Sequence, residues 1–367
     1  MLELTEEQKM LQDVIREFSE QKIAPIAAKI DVDETFPEET LKKMGELGFM
    51  GVPFPEEYGG AGMDTVSYSI VIEELAKVCA SHSITCAAHT SLGTNPIFLF
   101  GTEEQKKKYL PGLTSGQILG SLCLTEPEVG SDVKSVKTSA KKSDGGYILN
   151  GSKSFITNAG YAGIFIVTAV TEITESGNKL STFIVERDTP GLTIAAKEKK
   201  MGWRASDENL LGEPGQGFKN AMIILDGGRI SIAAMSLGIA EGAYREAFKY
   251  SKERQQFGRP ISDFQSIRFK LADMATQIEA SRLLTYHAAY LKDRGKDFII
   301  PASMAKLHAS EVATYVASEA IQIHGGYGFT MEYPVERYFR DAKACEIGEG
   351  TSEIQRLLLA KQLLSKY

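Results

Sequence analysis

From the N-terminus to about Gly116, apolar residues recur three and four positions apart. Leu11, Val14, Ile15 and Phe18 mark one helical face and Leu41, Met44 and Leu47 another. Asp64 to Ala88 reads as a longer, largely buried helix or a pair of helices. Thr5 with Gln8 and Thr102 with Gln105 have the spacing of capping boxes, in which hydroxyl and amide side chains satisfy backbone donors at a helix start. Pro111-Gly112 should end the helix that Thr102 begins. Between about Ile118 and Lys200 the period changes. ILGSLCL, YILNG, IFIVTAV, LSTFIVE and LTIAA are short and rich in β-branched residues, and they are separated by Ser-Asp-Gly-Gly, Ser-Gly-Asn and Thr-Pro-Gly, the pattern of a small antiparallel β domain. After Gly217 helical spacing returns in long stretches, through Ile230–Phe248, Phe264–Leu291 and Met304–Ile323, with the short connections of a helical bundle. The chain is therefore expected to be α+β in three parts: an N-terminal helical domain (1–117), a central antiparallel β domain (118–216) and a C-terminal helical bundle (217–367).

Composition narrows the function. With 367 residues and 43% hydrophobic content, the chain can bury a large core. Its 48 acidic residues outnumber 41 basic ones, for a net charge of −7, and no run of Lys or Arg forms an arm, so no nucleic-acid partner is expected. Cys79, Cys86, Cys123 and Cys345 form no CxxC pair and no His-linked spacing. They read as packed, reduced thiols of a cytoplasmic protein, and no metal site is expected. The first ten residues are polar and lack the apolar core of a signal peptide, and no segment reads as long enough to span a membrane.

Chemistry concentrates at a few glycine-rich places. Near the C-terminus the carboxylate of Glu349 stands between Gly348 and Gly350, just before Thr351, Glu353 and the apolar face of a helix. Glycine on both sides gives room for close approach, which a base held against a substrate needs; alone, the pattern more often describes a solvated turn. Leu122 to Asp132 (LCLTEPEVGSD) supplies hydroxyls and backbone amides on a glycine-containing turn, suited to a polar ring edge and a phosphate, or simply a polar turn. Phe155-Ile156-Thr157-Asn158 sets an aromatic beside a hydroxyl, although a phenylalanine by itself is more often core. Arg254 to Gly258 and Gln322 to Gly328 combine a guanidinium with tight glycine turns, chemistry suited to a pyrophosphate. His324 reads as a packed or helix-end histidine, and Gly212-x-x-Gly215-x-Gly217 as a plain turn rather than a dinucleotide fingerprint.

Taken in order, LTEPEVGSD, FITN, GWRASD, NLLG with GQGF, LDGGR, ERQQFGRPI, QIHGGYGF, FRDAK and EGTSEIQ resemble the acyl-CoA dehydrogenases, most closely the short-chain, butyryl-CoA type of bacteria, over almost the whole chain. The resemblance implies the acyl-CoA dehydrogenase fold, with a C-terminal four-helix bundle, FAD as cofactor and a homotetramer. It implies α,β-dehydrogenation of an acyl-CoA thioester to the 2-enoyl-CoA, with electrons passing from reduced FAD to an electron-transferring flavoprotein. No nucleic acid and no membrane enters this picture.

Matched residue by residue, the resemblance gives Leu122, Thr125, Gly130 and Ser131 contacts to the flavin and its phosphate. Phe155, Ile156 and Thr157 would cover the ring and approach N5. Arg254 and Phe257, with Gln322, Ile323, Gly325 and Gly326, would reach the FAD of a neighbouring subunit, and Thr351 and Glu353 would complete the cofactor site. Ser131, Asp226, Arg229 and Gly350 would contact the substrate, although Asp226 and Arg229 also fit a salt bridge at a helix start. Glu349 would be the base that removes the α proton while hydride leaves Cβ for flavin N5. Its backbone N–H and the flavin ribityl chain would stabilise the developing enolate, and burial should raise its pKa toward working pH. Glu241, on the helix after Arg229, is the substitute base to consider. An acyl-CoA oxidase using O2 and a non-catalytic flavin-binding homologue are the alternatives.

Two departures stand out. Gly348 replaces the aromatic that usually precedes the base, which would widen the site for a branched or alicyclic acyl group as well as a short linear one. After Gly202-Trp203-Arg204-Ala205-Ser206-Asp207, relatives carry about a dozen further residues, roughly a strand with its turns, before the segment matching Glu208 to Gly212. Losing a strand would bare a sheet edge and unpaired backbone groups, so Asp207 and Glu208 are expected not to be covalent neighbours.

Overall fold

The computed structural model describes residues 3–175, 177–194 and 201–365, without the side chains of 201–207. Seven helices come first: α1 (Glu6–Phe18), α2 (Ala24–Val32), α3 (Glu38–Glu46), α4 (Thr65–Ala76), α5 (Ala80–Ala87), α6 (Asn95–Phe100) and α7 (Glu103–Thr114). Strands follow: β1 (Gly120–Cys123), β2 (Ser139–Ser143), β3 (Gly146–Gly151), β4 (Ile164–Thr174), β5 (Gly177–Glu186), β6 (Met201–Ser206) and β7 (Leu210–Leu211). Then come α8 (Gly217–Glu253), a hairpin of β8 (Gln255–Gln256) and β9 (Arg259–Pro260), α9 (Gln265–Asp293), α10 (Ile299–His324), α11 (Val335–Ile347) and α12 (Ser352–Leu364). Packing groups the chain into two compact units, one of residues 1–40, 64–84 and 229–367, the other of 41–63 and 85–228.

In the first unit, α10 packs against α9, α11 and α12, and α4 against α1 and α9. Its core joins Val66 and Ile70 of α4 to Ile230, Ala233, Tyr286, Ala289 and Ala305. Every residue of α4 is buried, including Glu73 and Glu74, which share Lys77 at 2.9 and 2.8 Å and are further paired with Arg282 (3.5 Å) and Arg16 (3.2 Å) respectively. Helix α8 crosses α4 closely. A Cβ on Gly238 would lie 2.3 Å from the Glu73 carbonyl oxygen, and one on Gly242 would lie 2.4 Å from that of Lys77. Contrary to the sequence reading, α8 is long and apolar enough to cross a membrane, the one such helix among the described residues, but 72% of its apolar window is buried inside the protein, as in a core helix.

The second unit is built on a sheet in the order β6-β3-β2-β4-β5-β7, with β1 also on β4. Most pairs are antiparallel, as expected, but β1 and β2 share one edge of β4 and both run parallel to it. Phe165, Val167, Phe183, Val185 and Leu149 fill one side of the sheet. Ile164, Ile166 and Ile184 pack on the other, against Ile97, Leu110 and Leu113 of the preceding helices. Both capping boxes form, at Thr5 and at Thr102. Helix α7 does not stop at Pro111-Gly112; it carries Pro111 in its last turn and ends at Thr114, before Gly116 turns the chain at φ 69°. LTIAA forms no strand over Leu192–Ile194, and its last two residues lie outside the described ones. Asp207 and Glu208 fall in a single 3₁₀ turn, Asp207–Asn209, that joins β6 to β7. Three residues bridge the two outermost strands, and the edges of the sheet converge there.

Candidate active site

In the sheet unit, the loop after β1 is held by a buried ion pair. The Glu126 carboxylate accepts from the backbone N–H groups of Lys137 and Thr138 (2.8 and 2.9 Å), from the Thr138 hydroxyl (2.5 Å) and from Lys153 Nζ (2.9 Å). Burial would raise the Glu126 pKa, but the Thr138 hydroxyl and the Lys153 charge outweigh it and hold the acid below its ordinary value. Lys153 also donates to the Leu124 carbonyl (3.0 Å), and Ser154 N–H donates to the Thr125 carbonyl (3.0 Å). The loops 124–131 and 152–158 are thereby riveted together. Thr125 is half-buried between these anchors, and Gly130 and Ser131 are exposed.

The second of these loops is strained. Phe155 adopts φ 56°, which costs a bulky residue about 1–2 kcal/mol, and yet its side chain is 90% exposed. It is not core. Asn158, at φ 68°, tolerates that backbone better, and its amide donates to the Thr85 carbonyl at 3.0 Å. The Ser121 hydroxyl donates to the Thr157 carbonyl (2.7 Å), and Ile156 packs against the sheet core. Phe155 and Thr157 are left exposed on either side of it.

In the helical unit, Phe257-Gly258 forms the two-residue tip of the β8–β9 hairpin with positive φ at both positions (54° and 77°), and Phe257 is 92% exposed. Beside this hairpin Tyr250, Arg254, Ile323, Gly325, Gly326 and Tyr327 line a cleft of about 510 Å³. A Cβ on Gly325 or Gly326 would meet nothing within 4 Å, so the backbone there is open to close approach. The Arg254 guanidinium lies 5.7 Å from the Tyr327 ring centre. Gln322 is exposed but outside the lining, and Phe257 stands off it at the hairpin tip. His324 ends α10 as expected: it is buried, its Nδ1 is 2.8 Å from the Ala320 carbonyl, and it stacks on Tyr250 at 4.2 Å. Asp226 and Arg229 lie well inside α8 rather than at its start, and Arg229 is buried with Nη1 3.4 Å from the Ser303 hydroxyl.

Glu349 sits between two helices. α11 ends at Ile347, Gly348 continues extended, Glu349 takes φ 52° and Gly350 φ 100°, and Thr351 then caps α12 by accepting from Ile354 N–H (3.3 Å). Glu353 is exposed in the first turn of α12. The Glu349 residue as a whole is half-buried, but both carboxylate oxygens are shut off from solvent and have no hydrogen-bond partner. Burial pushes its pKa up to about 7, with the charges of Lys306 and Arg229 pulling the other way. Such a group is partly ionised at neutral pH and undersolvated, which is what proton abstraction requires. Glu241 is a poor substitute, because Arg245 (3.0 Å) and Arg282 (3.1 Å) already pair with it.

Three contributors were not among the candidate site residues, although Gln355 closes the EGTSEIQ motif. Gln355, fully buried, donates to the Glu349 and Gly350 carbonyls (3.4 and 3.1 Å). Lys306, on α10, donates to the Glu346 and Gly350 carbonyls (3.2 and 2.8 Å). Lys153 rivets the loops 124–131 and 152–158 described above. For the two lysines, a polar residue interrupting an otherwise apolar or structural pattern is the only trace left in the sequence.

Models of the acyl-CoA dehydrogenase N-terminal, middle and C-terminal domains match residues 5–117, 121–211 and 215–364. The chain is 52% identical to the probable acyl-CoA dehydrogenase YngJ of Bacillus subtilis over 376 aligned positions, covering 99% of each chain. Those 376 positions exceed the 367 residues here, so that relative carries at least nine residues without a counterpart. The intact mass of the purified protein, 40.1 kDa for this sequence, separates a real deletion from a longer polypeptide. Among solved structures, butyryl-CoA dehydrogenase from Megasphaera elsdenii superposes with a TM-score of 0.95 at 46% identity, covering 99% of this chain and all of that one. A structure from work on the electron transferring flavoprotein of Acidaminococcus fermentans gives 0.96 at 47% identity, covering 99% of both chains. An acyl-CoA dehydrogenase of Bacillus anthracis complexed with FAD gives 0.92 at 37% identity, covering 99% of this chain and 69% of that one. With all three domain models matched in order and identity near one half over the full length, the chain belongs to the acyl-CoA dehydrogenase family.

Proposed function

We propose that this enzyme is an FAD-dependent dehydrogenase of short-chain, branched or alicyclic acyl-CoA thioesters, with Glu349 as the base that removes the α proton. The observation that carries the reading is the pair of buried, partnerless Glu349 oxygens at a strained backbone position. Bound FAD supplies the acceptor for the hydride that leaves Cβ. The residues fit it: exposed Phe155 offers a ring face held by a rigid loop, and Arg254 lines an open glycine cleft suited to a pyrophosphate. Leu122, Thr125, Gly130, Ser131, Ile156, Thr157, Thr351 and Glu353 take the remaining cofactor contacts, and Asp226, Arg229, Ser131 and Gly350 hold the substrate. The Glu349 N–H donates to the thioester oxygen, where charge develops as the α proton leaves. A bulky residue kept at a strained, solvent-facing backbone position points to a use outside its own chain, which supports a homotetramer in which Phe257, Arg254, Gln322, Ile323, Gly325 and Gly326 serve a neighbouring subunit's FAD. An electron-transferring flavoprotein takes the electrons, and the enzyme works in the cytoplasm.

The deciding experiment mixes FAD-loaded protein anaerobically with a panel of acyl-CoA thioesters and follows flavin absorbance. Bleaching by short or compact acyl groups is expected. A protein that stays colourless after reconstitution with FAD, or a flavin that no acyl-CoA bleaches, overturns the reading.

Substrate width depends on Gly348. A Cβ added there meets only the Ala344 carbonyl oxygen within 4 Å, at 3.3 Å, so an aromatic side chain can be accommodated beside the base. Gly348→Phe should lower kcat/KM for branched acyl-CoA by roughly tenfold or more relative to butyryl-CoA, the scale of one or two methylenes in an apolar pocket. Equal losses for both substrates would place the width elsewhere.

A further inference from the structure

Lys306 is a lysine with no solvent exposure, on a buried face of α10 shared with the small residues Ala302, Ser303, Ala309 and Ser310. Burying an ammonium is costly unless its charge is answered, and among the described residues no carboxylate forms an ion pair with it. Its hydrogen bonds instead go to two main-chain carbonyls, Glu346 at 3.2 Å and Gly350 at 2.8 Å. These two residues bracket Glu349. The Glu346 carbonyl belongs to the last turn of α11, where the helix leaves acceptors unsatisfied and its dipole favours a cation. Gly350 stands just ahead of the Thr351 cap of α12. A single buried cation therefore ties the end of one helix to the start of the next, across a turn in which Glu349 has left-handed backbone.

Resting on the reading of Glu349 as the base, we propose that Lys306 is a positioning residue: it clamps the Glu346–Gly350 turn and supplies the positive field that keeps the Glu349 carboxylate ionised. The groups facing it are Arg229 from α8, Cys345 and Glu346 from α11, Glu349 from the turn itself and neutral Gln355 from α12. Burial pushes the Lys306 pKa down to about 8, with Cys345, Glu349 and Glu346 opposing that and Arg229 reinforcing it, so the ammonium is predominantly charged at neutral pH. Removing the cation takes away one of the two attractions that lower the Glu349 pKa. The sign follows: the base becomes harder to ionise, and the pH below which it fails moves up.

The test compares wild type, Lys306→Met and Glu349→Gln as FAD-loaded proteins. In Lys306→Met the acid limb of the flavin-reduction rate should move up by about one pH unit, the scale for loss of one nearby opposite charge, with about tenfold slower reduction below the limb and recovery at higher pH. A readout independent of turnover is the infrared carboxylic C=O band that Glu349→Gln abolishes; in Lys306→Met it should persist to higher pH. An unshifted limb and an unshifted band, even with lower thermal stability, would make Lys306 merely structural and overturn the proposal. Should the methionine variant not fold, Lys306→Gln, which keeps N–H donors without charge, carries the same test. Failure of both to yield flavin-loaded protein would also count against it, as the sign of a folding residue. If Glu349→Gln itself reduces flavin at the wild-type rate, the base assignment fails instead, and the two failures are distinct.

Discussion

Flavin reduction by acyl-CoA should fall by at least about 10²-fold in Glu349→Gln, the low end for loss of a general base, while acyl-CoA binding survives. The amide keeps the size of the side chain and can accept a hydrogen bond, but it cannot take a proton. In the wild type the same carboxyl sets the pH dependence. The proton must be absent for reaction, and burial places the pKa at about 7, so the rate should rise through neutrality and fall about tenfold per unit below it. Glu349→Gln should show neither the rate nor that limb. Glu241 cannot replace it without giving up Arg245 and Arg282, so residual activity at a tenth of wild type or more would require a base that this structure does not offer.

The second large effect is expected at Lys153. Its ammonium and the Glu126 carboxylate are both buried, and breaking such a pair from one side typically costs about 3–5 kcal/mol because the remaining charge is stranded. Lys153→Met should lower the denaturation midpoint of the protein and weaken FAD binding, since the loops 124–131 and 152–158 lose their common anchor. Replacing both partners, Glu126→Gln with Lys153→Met, should restore part of the stability by removing the stranded charge. Urea titration with and without FAD measures both effects. A single variant as stable as wild type would show that Thr138 and the two backbone N–H groups suffice.

Elements with strong local signals were legible in the sequence. The capping boxes at Thr5 and Thr102 need only four residues to declare themselves, and IFIVTAV and LSTFIVE, buried on both faces, became the long hairpin of β4 and β5. Strand β2 was missed because SAKKS buries only Ala140; its identity comes from pairing with β3, a tertiary fact. β6 went unread as a strand for the same reason, since GWRAS is placed by its ladder with Gly146 to Asn150. Pro111 misled because a proline in the last turn removes one hydrogen bond without ending the helix. Phe155 by itself read as more often core, and only the family resemblance set it and Phe257 against a flavin; exposure cannot be seen in a residue type. Lys306 did have a signal: it falls three and four residues from alanines on one face of an apolar helix, where a lysine without a carboxylate beside it has to be satisfied by something else.

Among the described residues five non-glycine positions hold a positive φ, and Phe155, Phe257 and Glu349 are three of them. At each the local conformation would be easier for asparagine or glycine, and the two phenylalanines lose almost no packing when replaced, being exposed. A search for heat-resistant variants of this enzyme that scores survival alone should therefore accumulate substitutions at these positions. On the roles proposed for these three residues, what it would select is a sturdier protein emptied of its chemistry, and counterselection on turnover is needed to keep the two aromatics and the acid in place.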